Sequence, residues 1–172
     1  LPYIKELNKK EYHFSIISFE KKERYQLMGT LLHQELKRLN IDWEPLTFNQ
    51  KIPFVSALLN MHNFTKKVKQ IMYQDNIQCI HCRSYQAAFV AAKNKKTNII
   101  FDIRGFWVDE RLDGGLWNIQ SILYRYLYNS FKKKEKQLFK RANHIVSLTE
   151  KGKEIIQYTF NPNVDISVIP CC

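Results

Sequence analysis

Asn98-Ile-Ile-Phe-Asp-Ile-Arg-Gly-Phe-Trp-Val-Asp-Glu-Arg-Leu-Asp-Gly-Gly115 passes within a few residues from an apolar run to charges and glycines. The segment Asn98 to Ile103 has the composition of a buried strand, and the polar cluster begins where that strand should end. Open α/β sheets bind ligands outside the carboxyl ends of their strands, so charges gathered at that edge read as a site.

Working outward, strand and helix patterns alternate. Ile4 and Leu7 suit the tail of a helix, and Tyr12 to Phe19 is rich in the aromatic and β-branched residues of a strand. Leu27, Leu31, Leu32, Leu36 and Leu39 are read as one apolar stripe of a helix over Tyr25 to Leu39. Ile41 to Phe48 is extended, with Pro45 assigning it to an edge or a bend. Pro53 suits a first helical turn, and Val55, Leu58, Leu59, Val68, Ile71 and Met72 carry an apolar face to about Tyr73. Ile77 to Ile80 reads as strand and Tyr85 to Lys93 as helix. A long amphipathic helix over Trp117 to Arg141 precedes strand His144 to Leu148, helix Glu150 to Tyr158 and a last strand, Ile166 to Ile169.

This rhythm predicts a single α/β domain over residues 1–172, Rossmann-like, with a mostly parallel sheet and helices on both faces. Doubly wound sheets usually open with a strand and a glycine-containing loop entering the first helix. The pattern here starts inside that helix, so the reading expects the first strand to be missing. Right-handed crossovers put the loops that follow the strands on one rim. His81, Arg83, the segment Asp102 to Asp113, Thr149 and Glu150 are expected to meet there.

Length and composition bound the function classes. A chain of 172 residues can bury roughly 70% of its extended surface, enough for one sizeable core. No apolar run approaches the ~20 residues of a membrane span. The net charge of +11 points to a polyanionic neighbour, whether nucleic acid, anionic bilayer or phosphorylated ligand, with a solvated basic surface as the plain alternative. Cys79 and Cys82 form one close pair and Cys171 and Cys172 another, a poor set for tetrahedral zinc, so no metal site is expected. A thioredoxin-like reading of Cys79-Ile-His-Cys82 has nothing else to support it, and ordinary thiols of a reducing compartment remain.

At the expected rim Arg104 ranks first, because a guanidinium can hold a phosphate or carboxylate bidentately at any working pH. Its alternative is an ion pair with Asp102 or Asp109 that organises the loop. Gly105 lets backbone approach a ligand or turn sharply. Asp109, Glu110 and Asp113 supply carboxylates for sugar hydroxyls or a general base, although the loop's geometry is not legible. Phe106 and Trp107 either stack on a ligand or plug the loop onto the core. His81 either donates to a ligand or caps backbone, and Arg83 makes the local field positive. His13, His33, His62 and His144 read as structural or surface residues, and the Asn63-Phe-Thr65 sequon lacks a secretion signal.

The long helix carries Tyr124, Tyr126, Tyr128 and Phe131 beside Arg125, Lys132, Lys133, Lys134, Lys136, Lys140 and Arg141. That mixture suits an anionic bilayer better than RNA, for which no recognised module is present. A core helix with a solvated back is the structural alternative.

Phe101-Asp-Ile-Arg-Gly-Phe-Trp-Val-Asp-Glu110, Glu135-Lys-Gln-Leu-Phe-Lys-Arg-Ala-Asn-His-Ile-Val-Ser-Leu-Thr-Glu150 and Val168-Ile-Pro170 resemble the N-terminal half of retaining glycosyltransferases of the large family numbered four. The resemblance is most specific over residues 75–172. It implies a GT-B enzyme of two Rossmann-like halves facing a cleft. This chain would be the acceptor half, inactive alone, and a C-terminal half outside it would bind the nucleotide-sugar donor without metal. No cofactor is expected on this half. Arg104, Asp109 and Glu110 are the implied catalytic-cleft residues, and Arg104 stands where many members place a histidine. His81, Arg83, Asp102, Gly105, Trp107, Thr149 and Glu150 are the expected substrate contacts. The resemblance further implies a sugar or lipid-linked acceptor, cell-surface polysaccharide or glycolipid synthesis, and a cytoplasmic protein peripheral to the inner face of the cell membrane. The competing expectation is a non-catalytic basic Rossmann-like module that binds RNA or an anionic membrane surface.

Overall fold

The computed structural model describes residues 2–8, 12–49, 53–160 and 163–170, so Cys171 and Cys172 lie outside the described residues. The chain divides into two compact units, Leu1–Gln70 and Ile71–Cys172.

The first unit holds α1 (Pro2–Asn8), β1 (Phe14–Glu20), α2 (Lys22–Arg38), β2 (Ile41–Thr47) and most of α3 (Pro53–Gln74). β1 and β2 run parallel in a two-stranded sheet, paired from Phe14 opposite Ile41 to Glu20 opposite Thr47. Pro45 sits opposite Ser18 in a strand with one partner among the described residues, the edge setting that a residue without an amide proton requires. α2 ends where Asn40 adopts φ 53°, a left-handed conformation that asparagine tolerates after a helix. Leu36, Ile41 and Trp43 are buried together, with Leu32 and Leu39 packed against them.

The five leucines of α2 do not form one stripe. Leu27 and Leu31 are exposed while Leu32 and Leu36 face the core. At about 100° per residue the two sets point roughly 100° or more apart, which the 3.6-residue period dictates.

The second unit holds β3 (Cys79–Arg83), α4 (Tyr85–Ala91), β4 (Asn98–Asp102), α5 (Trp107–Asp113), α6 (Ile122–Arg141), β5 (His144–Ser147), α7 (Glu150–Thr159) and β6 (Asp165–Val168). All neighbours in the order β3-β4-β5-β6 are parallel. The protein is therefore α/β with parallel sheets and helical crossovers. Strand alternation places Ile99, Phe101 and Ile103 on the face packed by Leu138 and Phe139 of α6 and Ile156 of α7. His81, Arg83 and Asp102 share the opposite face, since Arg83 pairs in register with Asp102.

Several boundaries differ from the sequence reading: β3 runs Cys79–Arg83 rather than Ile77–Ile80, which puts His81 and Arg83 within the strand instead of on the loop after it, and two further differences lie at α5 and α6. The segment read as a loop after β4 contains α5, whose Asp109 and Glu110 occupy the first turn, where the helix dipole favours carboxylates. It stops at Gly114 and Gly115, the latter with φ 69°. α6 begins at Ile122 rather than Trp117 because the Asn118 side chain accepts the Gln120 amide at 2.9 Å, a turn that competes with helix. Among the described residues no helix is long and apolar enough to cross a membrane.

Candidate functional site

A cleft of about 550 Å³ opens within the second unit at the carboxyl end of its sheet. The loop after β4 and α5 form one wall, and the β5–α7 turn with α7 forms another. Arg104, Gly105, Asp109, Glu110 and Thr149 line it, together with Lys132 from α6. His81, Arg83, Asp102, Trp107 and Glu150 do not.

Arg104 follows β4 directly, and its Nη2 donates to Asp102 Oδ2 at 3.0 Å. Asp102 is nearly buried, whereas about a third of the Arg104 side chain (34%) stays accessible. The ion pair and the cleft position thus coexist. His81 Nε2 lies 3.7 Å from the same carboxylate oxygen. Burial holds the His81 pKa below its ordinary value, with Arg104 and Arg83 adding to the depression and Asp102 opposing it. At neutral pH its imidazole is uncharged.

Gly105 has φ 151°, and a Cβ there would fall 1.9 Å from Glu110 Oε1. The missing side chain is what lets the Glu110 carboxylate fold over the loop. Asp109 is held from both sides by α6: Tyr128 Oη donates to Oδ1 and Lys132 Nζ to Oδ2, each at 2.9 Å. Lys132 also meets Glu135 Oε2 at 2.5 Å, and Tyr85 Oη donates to Glu135 Oε1 at 2.7 Å. Glu135 is fully buried, so this chain of partners is what permits its charge. Burial pulls the Lys132 ammonium down, but hydrogen bonds and attraction from Glu135 and Asp109 outweigh it, and its pKa stands above the ordinary range. Lys132 is charged at neutral pH.

Thr149 caps α7, its Oγ1 accepting the Gly152 amide at 3.0 Å, while Glu150 is exposed in the first helical turn. Gly152 packs close to Ser147, whose Oγ would lie 2.6 Å from a Cβ placed there. Trp107 is enclosed by aromatic rings, with Phe131 at 5.2 Å, Trp117 at 5.9 Å and Tyr85 at 6.4 Å between centroids. Arg111 covers its ring at 5.2 Å. These contacts match the packing alternative for Trp107, and Phe106 likewise packs on the core.

The sequence reading assigns Tyr85 and Glu135 no role and puts Tyr128 and Lys132 in the helix mixture read as facing a bilayer, whereas the structure turns these two inward onto Asp109 and Glu135. The signal for this was present: Tyr128, Lys132, Glu135 and Phe139 recur at the spacing of one helical stripe, the stripe that faces inward. Cys82 lies in the core and Cys79 on the opposite side of β3. Burial pushes the Cys82 thiol up to about 12, so the pair lacks the low-pKa thiolate of a redox site.

No family model matches the chain. Nor does any curated protein match it. Among solved structures, a glycosyltransferase from Rickettsia africae ESF-5 is similar, with 18% identity and a TM-score of 0.45 over 92% of this chain and 43% of that one. The chain thus spans less than half the length of that protein, and a likeness at this level assigns no activity.

Proposed function

We propose that this chain is the acceptor-binding part of an enzyme that transfers sugar from a nucleotide-sugar donor. The observation that carries the reading is the placement of Arg104, Asp109 and Glu110 on one cleft at the carboxyl edge of a parallel sheet. The segments 101–110, 135–150 and 168–170 lend it their resemblance to retaining family-four glycosyltransferases.

In this reading the carboxylates of Asp109 and Glu110 accept hydrogen bonds from sugar hydroxyls. Tyr128 and Lys132 fix Asp109, so it presents its remaining lone pairs without reorganisation. Arg104, anchored by Asp102, offers its accessible donors to an acceptor anion or to the leaving diphosphate, on which negative charge grows as the glycosidic bond breaks. The donor would be held mainly by a second α/β half, with retention of configuration. The acceptor would belong to surface polysaccharide or glycolipid synthesis.

The test is transfer measured with the complete product of the gene across a panel of nucleotide sugars. Arg104→Ala and Asp109→Ala should each lower kcat/KM by about tenfold or more. Wild-type efficiency in both variants removes these residues from the mechanism. A complete protein that neither transfers nor hydrolyses any nucleotide sugar overturns the reading.

A further inference from the structure

We infer that the cleft selects an acceptor sugar carrying an acetamido group, which Asp109, Lys132 and the apolar side of α7 read together. This rests on the sugar-transfer reading of the cleft and names the acceptor class for it.

The walls of the cleft differ in kind. α5 brings the carboxylates of Asp109, Glu110 and Asp113, whereas the facing side brings Ile155 of α7 and Phe160 just beyond it. Ile155 is exposed there, so an apolar group of a ligand set against it would leave water. Lys132 stands where the two kinds of surface meet: its Nζ is 2.9 Å from Asp109 Oδ2 and 5.2 Å from the centre of the Phe160 ring. Of the three protons of its ammonium, Asp109 and Glu135 take one each and the third is left for a ligand. Each oxygen of Asp109 accepts one hydrogen bond from α6 and keeps a further lone pair. A hydrogen-bond acceptor, a charged donor and an apolar surface thus stand side by side.

A secondary acetamide answers all three from one carbonyl carbon. Its N–H donates to Asp109, its carbonyl oxygen accepts from Lys132, and its methyl group lies against Ile155. Other sugar substituents answer fewer. A hydroxyl reaches Asp109 or Lys132 but leaves Ile155 in water. The methyl of a deoxy sugar covers Ile155 without supplying a donor and an acceptor on the same group. A free ammonium would sit beside the Lys132 ammonium, and a uronate would face Asp109, Glu110 and Asp113, like charge against like in both cases. A ligand that leaves the paired donor and acceptor unanswered loses more than one that lacks a methyl contact, so the amide is what the cleft discriminates by.

The experiment is binding of methyl glycosides to the whole chain, followed by saturation-transfer difference NMR and by the shifts of isoleucine methyl groups. The probes are the methyl glycosides of N-acetylglucosamine and N-acetylgalactosamine, set against those of glucose, of glucosamine with its free amine and of glucuronic acid. At least one acetamido glycoside is expected to bind about tenfold or more tightly than the other three, with saturation strongest at its acetyl methyl. Ile155→Ser, at an exposed position, should cut that preference about fivefold with circular dichroism unaltered. Asp109→Ala should reduce it to about threefold or less. Equal affinity for the glucoside, a preference that both variants keep, or no binding of any probe overturns the inference. Transfer by the complete product of the gene is measured separately. Transfer to acceptors that lack an acetamido group overturns this inference and leaves the sugar-transfer reading intact. Selective binding of an acetamido glycoside by a complete protein that transfers no sugar overturns that reading, while the amide recognition stands.

Discussion

Lys132 connects the cleft to the core. It stands between Asp109, a cleft carboxylate, and Glu135, a fully buried one, and the phenol of Tyr85 completes Glu135 from the other side. Removing the ammonium leaves a buried carboxylate without its counter-charge. Lys132→Met should therefore destabilise the protein by about 3 kcal/mol, whereas Lys133→Met on the exposed side should stay within about 0.5 kcal/mol. Urea midpoints at neutral pH measure both, and equal small effects would show that the buried pair contributes little. The pH dependence has a definite sign. Burial lowers Lys132, but its hydrogen bonds to Glu135 and Asp109 prevail and hold it above 10.5; Tyr85 is raised from 10.0 by burial first and then by the charge of Glu135. Both bind their protons more tightly folded than unfolded, so their contribution is present below the unfolded pKa and is lost as pH rises past about 10. Repeating the urea series above that pH should show a shallower decline in Lys132→Met and in Tyr85→Phe than in the wild type. In the sequence, Lys132 opens the run Lys132-Lys-Lys-Glu135 and reads as one more solvated lysine. Composition hid its role, and only the inward stripe from Tyr128 to Phe139 reveals it.

At the scale of elements, α5 and its junction with β4 decide where the cleft carboxylates stand. Gly105 holds φ 151° under the Glu110 carboxylate, so Gly105→Ala meets a strained backbone and pushes aside the flexible, exposed end of the Glu110 side chain. A loss of about 1–3 kcal/mol is expected. Gly115 also has positive φ, but nothing lies within 4 Å of a Cβ there, so Gly115→Ala should lose less, about 1 kcal/mol. Thermal unfolding of the two variants compares them, and a larger loss at Gly115 would show that the Gly105 junction relaxes freely. The β-strands were legible because their apolar runs are short and end at charges or turns. The short α5 was not, because seven residues rich in acids, with glycines behind them, look equally like a loop. The true start of α6 was hidden for a different reason: the Asn118 side chain ends the preceding turn locally, while the apolar periodicity from Trp117 onward runs straight through it. The site residues named from strand ends separated in the structure by side chain direction. Asp102 and Arg83 share one sheet face, and Asp109 reaches the cleft from a helix no periodicity announced.

At the scale of the whole molecule, apolar burial among the described residues is distributed unevenly between the two units. In the second, Phe101, Phe139, Ile99, Leu138, Ile145 and Ile156 are all essentially inaccessible and belong to one cluster. In the first, the buried cluster comprises Leu36, Ile41 and Trp43, and α2 leaves Leu27 and Leu31 to solvent. Removing apolar surface from water is the main driving force for a stable local structure, and amide protection follows the free energy of opening each part. The leucine content of α2 alone would have suggested the opposite ranking, since it is the phase of those leucines around the helix that determines which of them are buried. Hydrogen exchange on the intact chain should therefore find the β1 and β2 amides exchanging faster than those of β4 and β5, by about tenfold for each 1.4 kcal/mol that separates their opening energies. Denaturant should narrow the gap, because the opening that exposes the larger core falls more steeply with denaturant concentration. Equal protection in both sheets at every denaturant concentration would mean that the two units unfold as one cooperative body, and that the stability of β1 and β2 is not set by their own small core.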